Sequence, residues 1–173
     1  MSLLRACAHR PSRRDFSLLI GGAGIFGAMP LRALASGNVD ALCVTCIDYR
    51  LVADNSPFFD SMKLHGEYDQ VSLAGASLAA VSPKCPSANA AFWDQLAIAR
   101  NLHQVRRLIV LDHRDCGAFK VAFGKDFASC CGAETAQHKT VMMQVRDELE
   151  KRQPGLPSEY YLMALDGSAE RVL

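Results

Sequence analysis

Apolar positions in this chain fall into short runs separated by longer periodic stripes. Leu42-Cys43-Val44-Thr45-Cys46-Ile47 is an unbroken, partly β-branched run, the pattern of a strand buried on both faces of a parallel sheet. Gln70-Val71-Ser72-Leu73, Arg107-Leu108-Ile109-Val110-Leu111 and the stretch from Glu159 to Leu165 predict three further strands, the last ending in a turn at Asp166-Gly167. Pro57 to Leu64 predicts a helix with Ser56 as its cap and Pro57 in its first position. From Ser87 to His103, Ala91, Phe92, Leu96, Ile98 and Leu102 recur near the helical period; residues 133–152 predict a longer charged helix with Val141, Met142, Val145 and Leu149 on one stripe. Strands alternating with helices predict an α/β fold, a single domain over residues 36–173 with a mostly parallel central sheet flanked by helices.

Residues 1–35 break this pattern. A basic stretch with Arg5, Arg10, Arg13 and Arg14 precedes an uncharged segment from Phe16 to Met29 and the small-residue site Ala33-Leu34-Ala35, the order of a cleaved export signal. Four glycines dilute the uncharged segment and it is too short for a spanning helix, so no stable membrane anchor is expected. Ser12-Arg13-Arg14-Asp15-Phe16 resembles the twin-arginine motif, which implies the twin-arginine export machinery as a partner and a periplasmic or otherwise exported, already folded product. An ordinary secretory signal carrying a chance Arg pair is the plainer alternative.

The chain has 173 residues, of which 50% are hydrophobic and 21% charged, which excludes a disordered or fibrous chain. Lys and Arg number 19 against 18 Asp and Glu, and removal of the basic leader leaves a mildly acidic domain. Such a surface has no attraction for a phosphate backbone, and no nucleic-acid partner is expected.

Ligands of open parallel sheets gather beyond the carboxyl ends of the strands. Two polar clusters fall at such ends, Cys46-Ile47-Asp48-Tyr49-Arg50 and His113-Arg114-Asp115-Cys116-Gly117. Cys46, His113 and Cys116 offer two thiolates and one imidazole, a donor set that suits zinc with a fourth position left open. Alone, a buried His or an H-x-x-C pair is more often ordinary core or chance. Two adjacent strand ends carrying both are more specific.

C-x-D-x-R after one strand and H-x-x-C-G after a later one resemble the paired signature of the β-class carbonic anhydrases, and the likeness extends over most of residues 40–173, including the Ala74-Gly75 turn. The resemblance implies a β-carbonic-anhydrase-like fold, zinc held by Cys46, His113 and Cys116, and an Asp48–Arg50 catalytic dyad. It implies reversible hydration of carbon dioxide to bicarbonate by a zinc-bound hydroxide, in a homodimer or higher homo-oligomer. Some members let the equivalent of Asp48 ligate zinc in a closed state. Tyr49, Asp112 and the Arg114-Asp115 pair depart from the usual pattern and mark a divergent member; the extra carboxylates are expected to add a ligand or slow the chemistry. The alternatives are a carbonyl sulfide or carbon disulfide hydrolase on the same fold, a non-catalytic zinc module, and a thiol redox protein built on Cys43 and Cys46.

The remaining residues carry weaker expectations. Residues three apart on a strand face opposite ways, so Cys43 is expected to be an apolar core residue rather than the partner of Cys46. Cys85 could pair with Cys130 or Cys131 in an oxidising compartment. His103, at a helix end, and His138, on a charged helix face, are expected to be solvated rather than catalytic; His138 or His65 could ferry protons, but nothing in the sequence places either near the metal.

Overall fold

A computed structural model describes residues 37–126 and 131–173. The expected export signal and Cys130 lie outside the described residues. The described chain falls within one compact unit, Leu34–Leu173.

Strand β1 spans Ala41–Thr45, β2 Tyr68–Ser72, β3 Arg107–His113, β4 Ser158–Met163 and β5 Ala169–Arg171. They form one sheet in the order β2-β1-β3-β4-β5, parallel in every pair except β4 with β5. This is the mostly parallel α/β sheet that the run-and-stripe pattern predicts. The central strands β1 and β3 are the most apolar because both of their faces are covered.

Helix α1 (Val52–Ser61) covers one face, where Ala41, Cys43, Ile109 and Leu111 meet Leu51, Phe59 and Leu64. On the other face Leu42, Val44, Leu108 and Val110 meet Phe92 and Leu96 of α3 (Pro86–Leu102) and Met142 and Val145 of α5 (Cys131–Arg152). Alternation along β3 therefore sends His113 toward the α1 side and Asp112 toward the α5 side.

Two short helices were not legible in the pattern: α2 (Ser77–Val81) and α4 (Gly117–Phe123), each a turn or two long. The predicted helix from Pro57 to Leu64 is corrected. Its real counterpart begins at Val52, straight after a single 3-10 turn at Tyr49–Leu51, and Pro57 sits inside it. The start moves because Asp48, not Ser56, supplies the cap: its side chain accepts the Arg50 backbone N–H and nucleates the turn. The closing strand ends at Met163, and the Asp166-Gly167 turn returns the chain as β5, which the sequence reading did not foresee.

At the amino ends of the central strands, Arg107 bridges Asp40 at 2.7 Å and Glu159 at 2.7 Å, and the Tyr161 hydroxyl donates to Glu159 at 2.7 Å. Burial opposes the charge on Glu159, but Tyr161 and Arg107 outweigh it and hold its carboxyl below the usual range. A depressed carboxyl stabilises the fold above its unfolded pKa, about 4.3, and loses that contribution as pH falls through the folded value. Glu159→Gln is therefore expected to be less stable than wild type at pH 7, with the gap closing below about pH 4. Urea unfolding of both proteins at several pH values measures it; a pH-independent gap contradicts it.

Candidate metal centre

Cys46 follows the last residue of β1, and His113 is the last residue of β3. Pairing of Thr45 with Leu111 sets these two strand ends side by side. Cys116 follows three residues after His113, at the amino end of α4. One Sγ from each cysteine and one ring nitrogen of His113 lie within 4.8 Å of one another, so the three residues could hold a metal ion. Among the described residues this is the group of that kind.

The histidine is prepared for such a role. Its Nδ1 lies 2.8 Å from the Arg114 carbonyl, which can only accept, so Nδ1 carries the proton and Nε2 the lone pair. That Nε2 is buried and makes no hydrogen bond. His138 Nε2 is also buried without a partner, so what marks His113 as a ligand is that its unpaired nitrogen stands beside two sulfurs. Hydrogen bonding from Cys116, with His113 and the Gly75 N–H at 3.3 Å, outweighs burial and pulls the Cys46 thiol down to about 4, while the neighbouring Cys46 sulfur and burial push Cys116 above the usual thiol range. Burial disfavours charge on His113, but the adjacent Cys46 sulfur raises its pKa nonetheless.

Gly75 makes the Cys46 contact possible. Its φ is +78°, and a Cβ there would stand 3.1 Å from both Ala118 and Leu78.

Asp48 and Arg50 form the expected pair. Arg50 Nε donates to Asp48 Oδ1 at 3.0 Å and Nη2 to Oδ2 at 2.8 Å, a two-pronged grip that holds the Asp48 carboxyl down at about 2. Asp48 lies outside the three-atom ligand group, with Oδ2 3.8 Å from His113 Nε2. A cleft of about 400 Å³ opens on the two sulfurs and Asp48, walled largely by apolar side chains including Ile47, Leu78 and Val121.

Several departures from the family pattern find other partners. Asp112 faces away from the ligands; it accepts the Ser77 N–H at 2.9 Å and hydroxyl at 2.5 Å and meets His138 Nδ1 at 2.7 Å. Tyr49 is 84% exposed and takes no part in the site. Asp115 is bound to Arg50 and Lys120. Among the described residues no extra carboxylate thus joins the group.

His138 is a correction: it is 1% exposed, paired with Asp112 and stacked on Phe119 at 3.8 Å. The signal was present, because Glu134 and His138 extend backward the stripe of Val141, Met142, Val145 and Leu149, and all six are buried. His65 is exposed beside Asp60, and His103 is half-buried against Asp69 at 2.7 Å. Cys43 is buried, as the strand parity requires, and burial pushes its thiol up, so a Cys43–Cys46 redox pair finds no support. Cys85 and Cys131 are exposed free thiols.

No family model matches the chain. It is 33% identical over 135 residues to an uncharacterized protein of Rickettsia conorii, covering 78% of this chain and 73% of that one. A second uncharacterized protein, from Rickettsia bellii, is also 33% identical over 135 residues, with 82% of its length covered. The chain belongs to the family of these rickettsial proteins. Among solved structures it is similar to the β-carbonic anhydrase CafA of Aspergillus fumigatus, with a TM-score of 0.48, 16% identity and 82% and 79% of the two chains covered. It is also similar to one of two tetrameric β-carbonic anhydrases of Sordaria macrospora, with a TM-score of 0.45, 13% identity and 90% and 84% covered.

Cys46→Ser, His113→Ala and Cys116→Ser are each expected to lose most bound metal and to lower thermal stability, since the folded chain and not the unfolded one assembles the site. Cys43→Ala is expected to keep its metal. Elemental analysis of the purified proteins decides, and equal metal in all four contradicts the ligand set.

Proposed function

We propose that the protein is a zinc enzyme that interconverts carbon dioxide and bicarbonate. The observation that carries the reading is the buried, unpaired Nε2 of His113 set beside the Cys46 and Cys116 sulfurs, with an ionised Asp48 next to it. Zinc held by these three residues supplies Lewis-acid activation of water near neutral pH.

The chain's own groups do the rest. Asp48 Oδ2, kept ionised by Arg50, accepts a hydrogen bond from the attacking water and aims its lone pair into the cleft. Arg50 neutralises the carboxylate without leaving it free to turn. The apolar walls at Ile47, Leu78 and Val121 suit a small, uncharged linear substrate such as carbon dioxide. The same lining admits a second reading, hydrolysis of carbonyl sulfide or carbon disulfide, because both are small, uncharged linear molecules like carbon dioxide.

We further propose a homodimer or larger homo-oligomer, and export through the twin-arginine route. Replacing Arg13 and Arg14 together by Lys is expected to retain the precursor in the cytoplasm, because the paired guanidinium geometry is lost. Fractionation of cells expressing the two forms measures it, and unchanged export contradicts it.

Asp48→Asn is expected to keep its zinc while losing about a hundredfold or more in carbon dioxide hydration, the usual cost of misplacing a reacting group. Stopped-flow hydration from pH 6 to 9 measures this. Equal rates for wild type and variant remove Asp48 from the mechanism; a zinc-loaded wild type that is inactive throughout removes the hydratase reading, and if it also refuses carbonyl sulfide and carbon disulfide the non-catalytic zinc module replaces it.

A further inference from the structure

The arginine of the pair is held from both sides. Nε and Nη2 face Asp48, while Nη1 donates to Asp115 Oδ2 at 2.8 Å and Nη2 also donates to the Asp115 carbonyl at 3.1 Å. The planar guanidinium is thereby fixed along two edges. To release Asp48 it must leave Asp115 as well.

Asp115 is itself held by two other elements. Lys120 of α4 contacts its Oδ1 at 2.5 Å. Glu134 of α5, only 4% exposed, accepts the Asp115 backbone N–H through Oε1 at 2.6 Å and meets Arg114 through Oε2 at 3.2 Å. Asp115 has a φ of +58°, in the left-handed region that glycine adopts freely and Asn and Asp more readily than other side chains. A strained residue fixed by a buried acceptor, a lysine and an arginine is over-determined by its surroundings, the usual condition for strain that serves a site.

We propose that Asp115, locked by Lys120 and Glu134, is a positioning residue that pins Arg50 and so keeps Asp48 from occupying the fourth position of the metal. The proposal rests on the metal-site reading above. With Oδ2 already 3.8 Å from His113 Nε2, Asp48 needs only a small swing to become a ligand, and the grip of Arg50 is what opposes it. Nothing on the Asp48 side alone fixes Arg50 in place: two residues along the same turn can move together. Asp115 ties that turn to the second ligand-bearing loop, 65 residues away in sequence. The charge that the sequence placed between His113 and Cys116 thereby acts on the site through Arg50 rather than by binding the metal.

The test uses the full chain loaded with cobalt, whose visible absorption reports its ligands, and azide as the probe of an open fourth position. Wild type is expected to shift its spectrum on azide addition. Asp115→Asn, which tolerates the left-handed φ, is expected to keep cobalt but to need about tenfold or more azide, the scale of losing one charge-assisted hydrogen bond. Asp48→Asn/Asp115→Asn is expected to recover the wild-type azide affinity, because the competing carboxylate is gone; a merely structural role for Asp115 would not produce that rescue. Lys120→Gln, on the half-exposed side of α4, is expected to move azide affinity in the same direction as Asp115→Asn and serves if that variant fails to fold. Unchanged azide affinity in the single variants, no rescue in the double variant, or a cobalt-loaded wild type indifferent to azide overturns the proposal. Carbon dioxide hydration by wild type is read separately: an inactive protein with the expected azide pattern overturns the hydratase reading and supports the positioning role, whereas a wild type that takes up no cobalt overturns both.

Discussion

Parallel pairing of β1 with β3 fixes where the chemistry can be. Thr45 lies opposite Leu111, so the residues just beyond the two strand ends, Cys46 and His113, must emerge together at one edge of the sheet. A slip of one residue would turn Cys43, Ile109 and Leu111 out of the α1-side core and send Asp112, not His113, toward Cys46. The apolar faces on both sides of these strands thus set the register, and the register sets the metal centre. Gly75 and α4 then close around it, one supplying an N–H to Cys46 and the other carrying Cys116 at its start.

The polar groups around this edge form two sets. His113, Asp48, Arg50, Asp115 and Lys120 make one connected set that reaches the candidate ligands. Asp112, Ser77 and His138 hydrogen-bond one another in the core between β3, α2 and α5. Removing Asp112 would leave two buried partners without an acceptor, which explains why an aspartate can stand next to His113 without joining the Cys46–His113–Cys116 group.

The sheet, α3, α5 and the clustering of Cys46, His113 and Cys116 were legible because each rests on a strong local signal: an unbroken apolar run, a helical stripe, or sulfur and imidazole at two strand ends. What escaped rests on contacts distant in sequence. Helix α1 begins early because Asp48 is at once the cap of its leading turn and the partner of Arg50, a double role that the Ser56-Pro57 signal concealed. Asp115 read as a stray carboxylate because nothing local shows that Arg50 would reach it. His138 was misjudged for a different reason, since its helix was read from the apolar stripe forward and the two polar residues that continue the stripe backward were left out.

X-ray absorption at the zinc edge of the loaded protein tests the central claim most directly. The account predicts two sulfurs at about 2.3 Å, one imidazole nitrogen at about 2.0 Å and one further light-atom ligand. A shell with no sulfur, or with three or more sulfurs, would contradict it.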